Sequence, residues 1–168
     1  MKTELKPTPV SEQINIGIKA SDREQVIKIL RQLLADQHVF YIKLRNYHWN
    51  VEGIHFQQLH AFFAEQYTVL DAQIDDIAER IRSLGDYAPG SMAAFRELSR
   101  LQESDGLQGN ATQMLQNILA DHELTIQVLR HDVEATMDEY HDAGTSDFLT
   151  ALMEAHEKMA WMVRAHLR

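Results

Sequence analysis

The chain has 168 residues, of which 45% are apolar and 24% charged, as expected for one globular domain. It contains no cysteine, which excludes disulfides, thiolate metal sites and cysteine nucleophiles. Its formal net charge of −9 argues against a nucleic-acid-binding body, and without a run of about 18 apolar residues no membrane span is expected.

Residues 1–20 predict an N-terminal arm, because they combine two prolines with mixed polarity. This segment lacks the apolar core of a signal peptide, so we expect a cytoplasmic protein, with nucleoid association left open. Two weakly basic tips are Lys2 with Lys6 and, at the other end of the chain, Arg164, His166 and Arg168. Either tip could contact DNA, although a tail with few charges more often only solubilises a chain. DNA is therefore an uncertain partner.

Two long helices are predicted in the first half of the chain. The stretch SDRE at residues 21–24 has the pattern of a capping box, and apolar residues then recur at helical spacing. We expect this helix to run to about Val51 and to be broken by Gly53. A second helix is predicted from near Phe56 to Gly85, again from an apolar stripe of helical period.

The second half of the chain predicts one short and two long helices. Ser91 follows the loop DYAPG and is placed to cap a short helix, and Asn110 is placed to cap a third long helix. That helix is expected to continue until Gly144 stops it. Thr145 or Ser146 would then cap a fourth long helix.

These elements predict an all-α fold. Helices of about 25 to 30 residues are each about 40 Å long, and four of them can form a bundle. The long link between the second and third long helices, with a short helix inside it, suits a ferritin-like crossover. We therefore expect a ferritin-like four-helix bundle over residues 21–168.

Two histidines flank the turn between the first two long helices. His48 and His60 stand at similar heights on antiparallel helices, so they can face one another across the hairpin. Neutral imidazole is a good ligand for iron, zinc or copper. Buried histidines often only form hydrogen bonds, however, and that alternative stays open.

Two acidic residues further along the second helix are the matching oxygen donors. Asp75 and Glu79 are four residues apart and lie on one face, either as ligands or as part of a solvated charged surface. Along the helix they lie about 22 to 28 Å from His60, so one chain cannot bring these donors to one metal. If two copies of the helix pack antiparallel about a twofold axis near Val69, the donors meet between the copies, twice per dimer.

Several stretches carry a resemblance to a known family. They are Tyr47–Gly53 (YHWNVEG), Phe56, Leu59-His60, Asp75–Arg80 (DDIAER), Leu84-Gly85, His156–Lys158 and Trp161-Met162. Together they resemble the Dps family, the mini-ferritins named DNA-binding protein from starved cells. The resemblance covers roughly residues 22–167, and its specific part is the ordered set of His, His, Asp and Glu at these separations.

The resemblance implies a hollow dodecamer with ferroxidase centres between twofold-related subunits. It implies oxidation of Fe(II) by hydrogen peroxide or oxygen, deposition of ferric mineral in the cavity, and protection of DNA from oxidative damage. Each centre would hold its metals, and perform catalysis, with His48 and His60 of one chain and the partner's Asp75 and the partner's Glu79. The partner's Glu79 would lie between two metals.

The resemblance also suggests roles for three further residues. Trp49 resembles a family tryptophan beside the centre, with simple core packing as the alternative. Asp142 and Asp147 resemble acidic residues that line a threefold pore, where focused negative potential would attract cations. For Asp147 the alternative is ordinary helix-end chemistry, since acidic residues favour helix N-termini.

One position departs from the family pattern. Members usually carry Asp or Glu one helical turn after the second histidine, where this chain has Ala64. Glu65 is adjacent, but it points about 100° away around the helix. We expect the first iron position to be intact and the second, at His60 and Glu79, to bind more weakly because it lacks a carboxylate. Zinc could then occupy the site.

The leading interpretation is an iron-oxidising and iron-storing ferroxidase. One alternative is a non-catalytic DNA-binding protective shell, which would need tail contacts strong enough to overcome an acidic exterior. The other is a structural bundle without metal.

Overall fold

The computed structural model describes residues 14–104 and 110–168 of the chain. Its helices are α1 (Ala20–Asn50), α2 (Phe56–Ser83), α3 (Met92–Leu98), α4 (Ala111–Glu134) and α5 (Ala143–His166), with a π-helical turn at Ala135–Glu139. The described ranges contain no β-strand. The predicted all-α bundle of four long helices with a short one in the middle connection is confirmed.

Two of the predicted helix caps are present. The Ser91 side chain accepts a hydrogen bond from the backbone N–H of Ala94 at 3.2 Å and starts α3. The Asn110 side chain accepts one from the N–H of Gln113 at 3.0 Å and starts α4. Each cap satisfies a backbone donor that the first turn of a helix leaves unpaired.

The predicted capping box at residues 21–24 is wrong. The N-cap of α1 is Lys19, which makes no side-chain capping bond, and Ser21 lies inside the helix with its hydroxyl bonded to Asp22 at 3.0 Å. The helix starts two residues earlier than the motif indicates, because burial of Val26 and the residues that follow it stabilises the helix without a cap.

The predicted boundary between the last two long helices is also wrong. Gly144 does not end a helix, and neither Thr145 nor Ser146 is an N-cap. The α-helical hydrogen bonding of α4 ends at Glu134 and continues as the π-helical turn, and α5 has already begun when the chain reaches Gly144. The reversal takes place at His141, whose φ is +54°, and the cap of α5 is Asp142.

Contacts between distant segments define how the helices run. Asn117, near the start of α4, donates a hydrogen bond to the Tyr47 hydroxyl near the end of α1 at 2.9 Å. One turn away, Lys43 of α1 pairs with Asp121 of α4 at 2.5 Å. Therefore α4 is antiparallel to α1 and parallel to α2. Because α2 and α4 run parallel, the segment between them must return along the length of the bundle. This explains the long crossover.

The core consists of two apolar clusters that are separated by a polar layer. The cluster nearest the α1–α2 turn includes Phe40, Leu44, Tyr47, Phe63, Leu70, Ile118 and Val163. The second cluster includes Leu30, Leu33, Leu34, Ile77, Ile81, Leu129 and Leu149. These side chains are almost completely buried, and each such burial contributes about 1.5–3 kcal/mol.

The polar layer contains one side chain from each long helix: Gln37, Gln66, His122 and His156. All four are buried and they form one hydrogen-bonded row. The Gln37 amide lies 3.1 Å from Nε2 of His156, the two histidine Nδ1 atoms are 2.9 Å apart, and Nε2 of His122 lies 3.0 Å from Oε1 of Gln66. With these amide orientations all three bonds form together when Gln37 donates to His156, His156 to His122 and His122 to Gln66. Oε1 of Gln37 and Nε2 of Gln66 have no partner among the described residues.

The crossover is fastened to α1 by Asp36. Its carboxylate accepts hydrogen bonds from the Ser99 hydroxyl at 3.0 Å, the Arg100 backbone N–H at 2.6 Å and Nε of Arg100 at 2.7 Å. Beside this ion pair, the rings of His38 and Phe95 stack at 3.7 Å, which attaches α3 to α1. Hydrogen bonds to charged groups contribute about 1.5–3 kcal/mol, so these contacts fix the path of the crossover.

Most of the predicted N-terminal arm, residues 1–13, lies outside the described residues. The described part begins at Ile14, whose carbonyl accepts a hydrogen bond from Arg23 at 3.2 Å. The Ile14 side chain covers Gly85, and a Cβ at Gly85 would collide with it. Gly85 also has a φ of +96°, so both its backbone conformation and this close approach require glycine.

We predict that Gly85→Ala destabilises the fold. The strained backbone costs on the order of 1–3 kcal/mol, and the displaced Ile14 side chain adds to that. Thermal unfolding should show a lower midpoint than that of the unmodified protein. Gly90→Ala is the matched control, because no atom lies near a Cβ at Gly90 and its φ is not positive. Equal melting temperatures for the two variants would contradict the prediction.

We predict that acid weakens the fold through the polar layer. Burial lowers the pKa of His156 to about 3, and burial followed by the adjacent His156 ring lowers the pKa of His122 well below its ordinary value. Unfolded histidines bind protons near pH 6.5 whereas the folded rings stay neutral. The contribution of the two neutral histidines to the free energy of unfolding is therefore fully present above about pH 6.5. It falls as the pH drops toward 3, by up to about 1.4 kcal/mol per pH unit for each histidine.

Urea unfolding at pH 7 and at pH 5 measures this pH dependence. His156→Gln should lower the slope of the unfolding free energy against pH by the amount expected for one proton taken up on unfolding, about 1.4 kcal/mol per pH unit. The exposed His166 on the same helix provides the control, and His166→Gln should leave the dependence in place. An unchanged pH dependence in His156→Gln would refute the prediction.

Candidate metal centre

The α1–α2 hairpin brings the two predicted histidine ligands together. α1 ends at Asn50, and the buried Val51 follows it with its N–H bonded to the Tyr47 carbonyl at 2.9 Å. Gly53, at a φ of +112°, turns the chain so that α2 starts at Phe56. His48 therefore lies in the last turn of α1 and His60 lies in the second turn of α2.

The side chain of each of His48 and His60 forms a hydrogen bond with the backbone of the other. The rings stack with centroids 3.7 Å apart and an interplanar angle of 23°. Nδ1 of His48 lies 2.7 Å from the carbonyl oxygen of His60, and Nδ1 of His60 lies 2.7 Å from the carbonyl oxygen of His48. A carbonyl can only accept, so both Nδ1 atoms carry the hydrogen. In each neutral ring Nε2 then keeps its lone pair, which is the arrangement of a metal-binding histidine.

Aromatic rings and one cation surround His48. Tyr67 of α2 meets the His48 ring at right angles, with centroids 5.3 Å apart. The Arg45 guanidinium lies 5.0 Å from the ring centroids of both Trp49 and Tyr67, and donates a hydrogen bond to the Tyr41 hydroxyl at 2.6 Å. Trp49 is 61% exposed, so in the single chain it is not a core residue.

The sequence analysis missed this aromatic cluster, although the spacing contained a signal. Tyr41, Arg45 and Trp49 are four residues apart in succession and so share one face of α1 next to His48. Cations over aromatic faces contribute about 0.5–1 kcal/mol each at exposed sites. The cluster therefore gives the rings beside the histidines a defined arrangement.

The predicted carboxylate ligands lie at the far end of α2. Asp75 and Glu79 are exposed, and neither side chain bonds to a described residue. At 1.5 Å per residue they are about 22 to 28 Å from His60. Within residues 14–104 and 110–168 no three or more His, Asp and Glu side chains are grouped closely enough to hold a metal. Within one chain, the proposed nitrogen donors and oxygen donors therefore lie far from each other.

One flank of α2 connects the two ends of this donor set. His60, Ala64, Tyr67, Asp71 and Asp75 follow one another at intervals of three and four residues, so they lie on the same side of the helix. Ala64 is the only apolar aliphatic member of this set. A carboxylate at that position would have pointed toward the histidines.

The predicted pore residues occupy different environments. Asp142 is buried: it caps α5 through the N–H of Thr145 at 3.0 Å and pairs with Arg80 of the DDIAER stretch at 3.1 Å. Its second oxygen accepts a hydrogen bond from the Thr145 hydroxyl at 2.5 Å. Asp147 lies one turn later and is exposed. Both oxygens of the Asp142 carboxylate are thus hydrogen-bonded within the chain, whereas the carboxylate of Asp147 is open to solvent.

Comparison with known proteins places this chain in a family. A model described as a ferritin-like domain matches residues 27–168. A low temperature-induced protein of Nostoc sp. is 46% identical over 155 residues, which cover 92% of this chain and 87% of that protein. DNA protection during starvation protein 2 of Bacillus anthracis is 38% identical over 144 residues, which cover 86% of this chain and 97% of that protein.

The solved structures agree with these relatives. The crystal structure of the Vibrio cholerae Dps protein has a TM-score of 0.87 at 29% identity and covers 97% of this chain and 99% of its own. The chain belongs to the Dps family. The ferritin-like fold predicted from the long crossover is thereby confirmed. The described ranges of this Dps-family chain contain no helix with the length and hydropathy to cross a bilayer.

We predict that Asp142 is a structural residue of this Dps-family fold. Asp142→Asn removes the charge that pairs with Arg80 and should lower the free energy of unfolding by about 1.5–3 kcal/mol, as expected for a charged hydrogen bond. Asp147→Asn, one turn away and exposed, should cost no more than about 1 kcal/mol, from the helix dipole. Urea unfolding of both variants measures the difference, and equal stabilities would rule out this role.

Proposed function

We propose that the protein is a ferroxidase that oxidises Fe(II) at centres shared between two subunits and stores the ferric product. Membership of the Dps family connects the chain with iron storage and stress protection, and the Vibrio cholerae neighbour is described as one of the ferritin-like diiron-carboxylate proteins. The observation that carries the proposal is the pair of free Nε2 atoms on His48 and His60, at a site to which no described residue of the same chain adds a carboxylate.

A second copy of the chain supplies the missing oxygen donors in this proposal. Two α2 helices that cross antiparallel about a twofold axis near Val69 bring the histidines of one copy to the partner's Asp75 and the partner's Glu79. A twofold contact repeats the arrangement, so a dimer has two equivalent centres.

Exposed apolar side chains support such a contact. Ile42, Trp49 and Met92 are 44%, 61% and 65% exposed and line one groove between α1 and α3, with a volume of about 690 Å³. Val69 of α2 is also 41% exposed. Exposed apolar patches are typical of interaction sites. Six such dimers would form the dodecameric shell that we propose for this protein.

The donor set suits the oxidation of iron. Imidazole and carboxylate ligands both bind Fe(II). Carboxylates stabilise the greater charge of Fe(III) and so favour the loss of an electron. With hydrogen peroxide as the oxidant, two Fe(II) ions each give one electron, and one peroxide with two protons becomes two water molecules. Paired electron transfer of this kind consumes peroxide without releasing hydroxyl radical, which would protect DNA.

Ala64 distinguishes the two iron positions of the proposed centre. The first position, at His48 with the partner's Asp75 and the partner's Glu79, has its full donor set. The second position, at His60, shares only the partner's Glu79 and has lost the carboxylate that family members usually carry. We expect weaker iron binding there, and zinc as a competing occupant.

Iron would reach the interior near the start of α5. Asp147 is exposed there, and an acidic residue at a threefold pore would attract cations. The buried Asp142 would act beside it by fixing the start of α5 rather than by meeting the ion. DNA contact through Lys2 and Lys6 involves residues that lie outside the described ranges.

Co-assembly of two defective variants tests the shared centre. One variant carries His48→Ala and His60→Ala, and the other carries Asp75→Ala and Glu79→Ala. We predict that neither oxidises Fe(II) alone, and that co-expression restores about one quarter of the native centres. Half of the dimers are mixed, and each mixed dimer has one centre with all four native residues and one with none.

Fe(II) oxidation by peroxide, measured per subunit in purified mixed shells, reports the outcome. Mixed shells as inactive as their parents would show that the donors do not meet across subunits. Full activity in either parent would show that its altered residues are not needed.

A further inference from the structure

The flank of α2 offers a substitute for the oxygen donor that Ala64 removes. Side chains on a helix lean toward its N-terminus, so Tyr67 covers the surface of the preceding turn, where Ala64 lies. The methyl group of Ala64 leaves that surface open. Tyr67 is also seven residues from His60, two turns along the same flank. The Tyr67 ring therefore lies on the same flank as His60, next to the open surface at Ala64.

Ring contacts place Tyr67 at the centre. Its ring meets the His48 ring at 82° with 5.3 Å between centroids, which is direct van der Waals contact. A metal ion binds about 2 Å from a ring nitrogen. Tyr67 contacts His48, and the His60 ring stacks on His48 at 3.7 Å, so the second position at His60 lies one ring away from Tyr67. Among the aromatic rings that contact the two histidines in the described residues, Tyr67 is the one that carries an oxygen.

The two tyrosines of the cluster differ in how their hydroxyls are used. The Tyr41 hydroxyl accepts a hydrogen bond from Arg45 at 2.6 Å. The hydroxyl of Tyr67 has no hydrogen-bond partner among the described residues, although its ring lies 5.0 Å from the same guanidinium and 5.9 Å from the Tyr41 ring. Arg45 and Tyr41 thus position the Tyr67 ring and leave its oxygen free.

We propose that Tyr67 is the ligand that takes the place of the missing carboxylate, and that its phenol oxygen binds the ferric ion at the second position. This inference rests on the proposed function. The phenol oxygen forms a bond to Fe(III) and its proton passes to water, with no change in oxidation state. Phenolate is an anionic oxygen donor like carboxylate, so it stabilises Fe(III) over Fe(II). The second position would consequently retain iron after oxidation.

The phenolate-to-Fe(III) charge-transfer band tests the assignment. It lies in the visible spectrum, and Fe(III) with only carboxylate and imidazole ligands lacks it. The assembled protein is loaded with two Fe(II) per centre and oxidised with hydrogen peroxide. We expect a visible band whose resonance Raman spectrum contains phenolate ring modes. This measurement needs no variant, and the absence of phenolate modes from the oxidised, iron-loaded protein would overturn the assignment.

Three substitutions identify the residue. Tyr67→Phe should abolish the band and weaken Zn(II) binding at the second position by roughly tenfold or more. Tyr41→Phe, the matched control with an adjacent phenol in the same cluster, should keep the band. Ala64→Glu restores a carboxylate and should reduce the band by competing with the phenol. A band that persists in Tyr67→Phe, or that disappears only in Tyr41→Phe, would assign the ligand elsewhere.

Zn(II) titration calorimetry separates this inference from the proposed function. If Zn(II) binding depends on both His48 and Glu79, the shared centre exists, and a missing phenolate band then overturns only the role of Tyr67. If His48→Ala binds Zn(II) as well as the unmodified protein does, the centre itself is wrong and the role of Tyr67 falls with it.

Discussion

The uninterrupted course of α2 is the constraint on which the proposed chemistry of this protein depends. The helix is continuous from Phe56 to Ser83, so the separation between His60 and Asp75 is fixed by the rise per residue. No rotamer change can close a gap of about 22 Å, because the longest side chains reach only a fraction of it. In the function that we propose, donors at the two ends of one helix make the metal centre depend on assembly of two subunits.

The hairpin prepares one half of that assembly in advance. Each imidazole is held by the backbone carbonyl of the other helix, so the two rings order one another before any ion arrives. A ligand pair that is already oriented loses little conformational freedom on binding. The aromatic cluster around Arg45 restrains the same region from α1. The hairpin therefore orients the two proposed nitrogen ligands within a single chain, whereas the proposed oxygen ligands, Asp75 and Glu79, are exposed in that chain.

The sequence predicted the parts of the fold that follow from periodicity. Apolar spacing located all four long helices and the short one, and caps such as Ser91 and Asn110 were recognisable because their side chains bond to the nearest turn. The errors occurred where several local signals competed. The motif at residues 21–24 satisfied a pattern that burial of the helix made unnecessary, and Gly144 suggested a stop where a π-helical turn and Asp142 form the reversal.

The sequence predicted the candidate site less completely than it predicted the fold. The pairing of His48 with His60 followed from a hairpin, which is a local feature. The reciprocal backbone bonds, the neighbouring phenol and the cation over its face depend on how α1 packs on α2, and no linear pattern encodes the angle between two helices. The distinction between Asp142 and Asp147 likewise required the position of Arg80, which is distant in the sequence.

The polar layer has a consequence for the axial alignment of the bundle. Apolar side chains tolerate sliding, since leucine packs against leucine at many offsets, but Gln37, Gln66, His122 and His156 find their partners at one offset only. A displacement of α5 by one turn would bury imidazole against hydrocarbon and leave its nitrogens unpaired. The row of four side chains thus fixes the height of every long helix against its neighbours, including the height of the α1–α2 hairpin that carries His48 and His60.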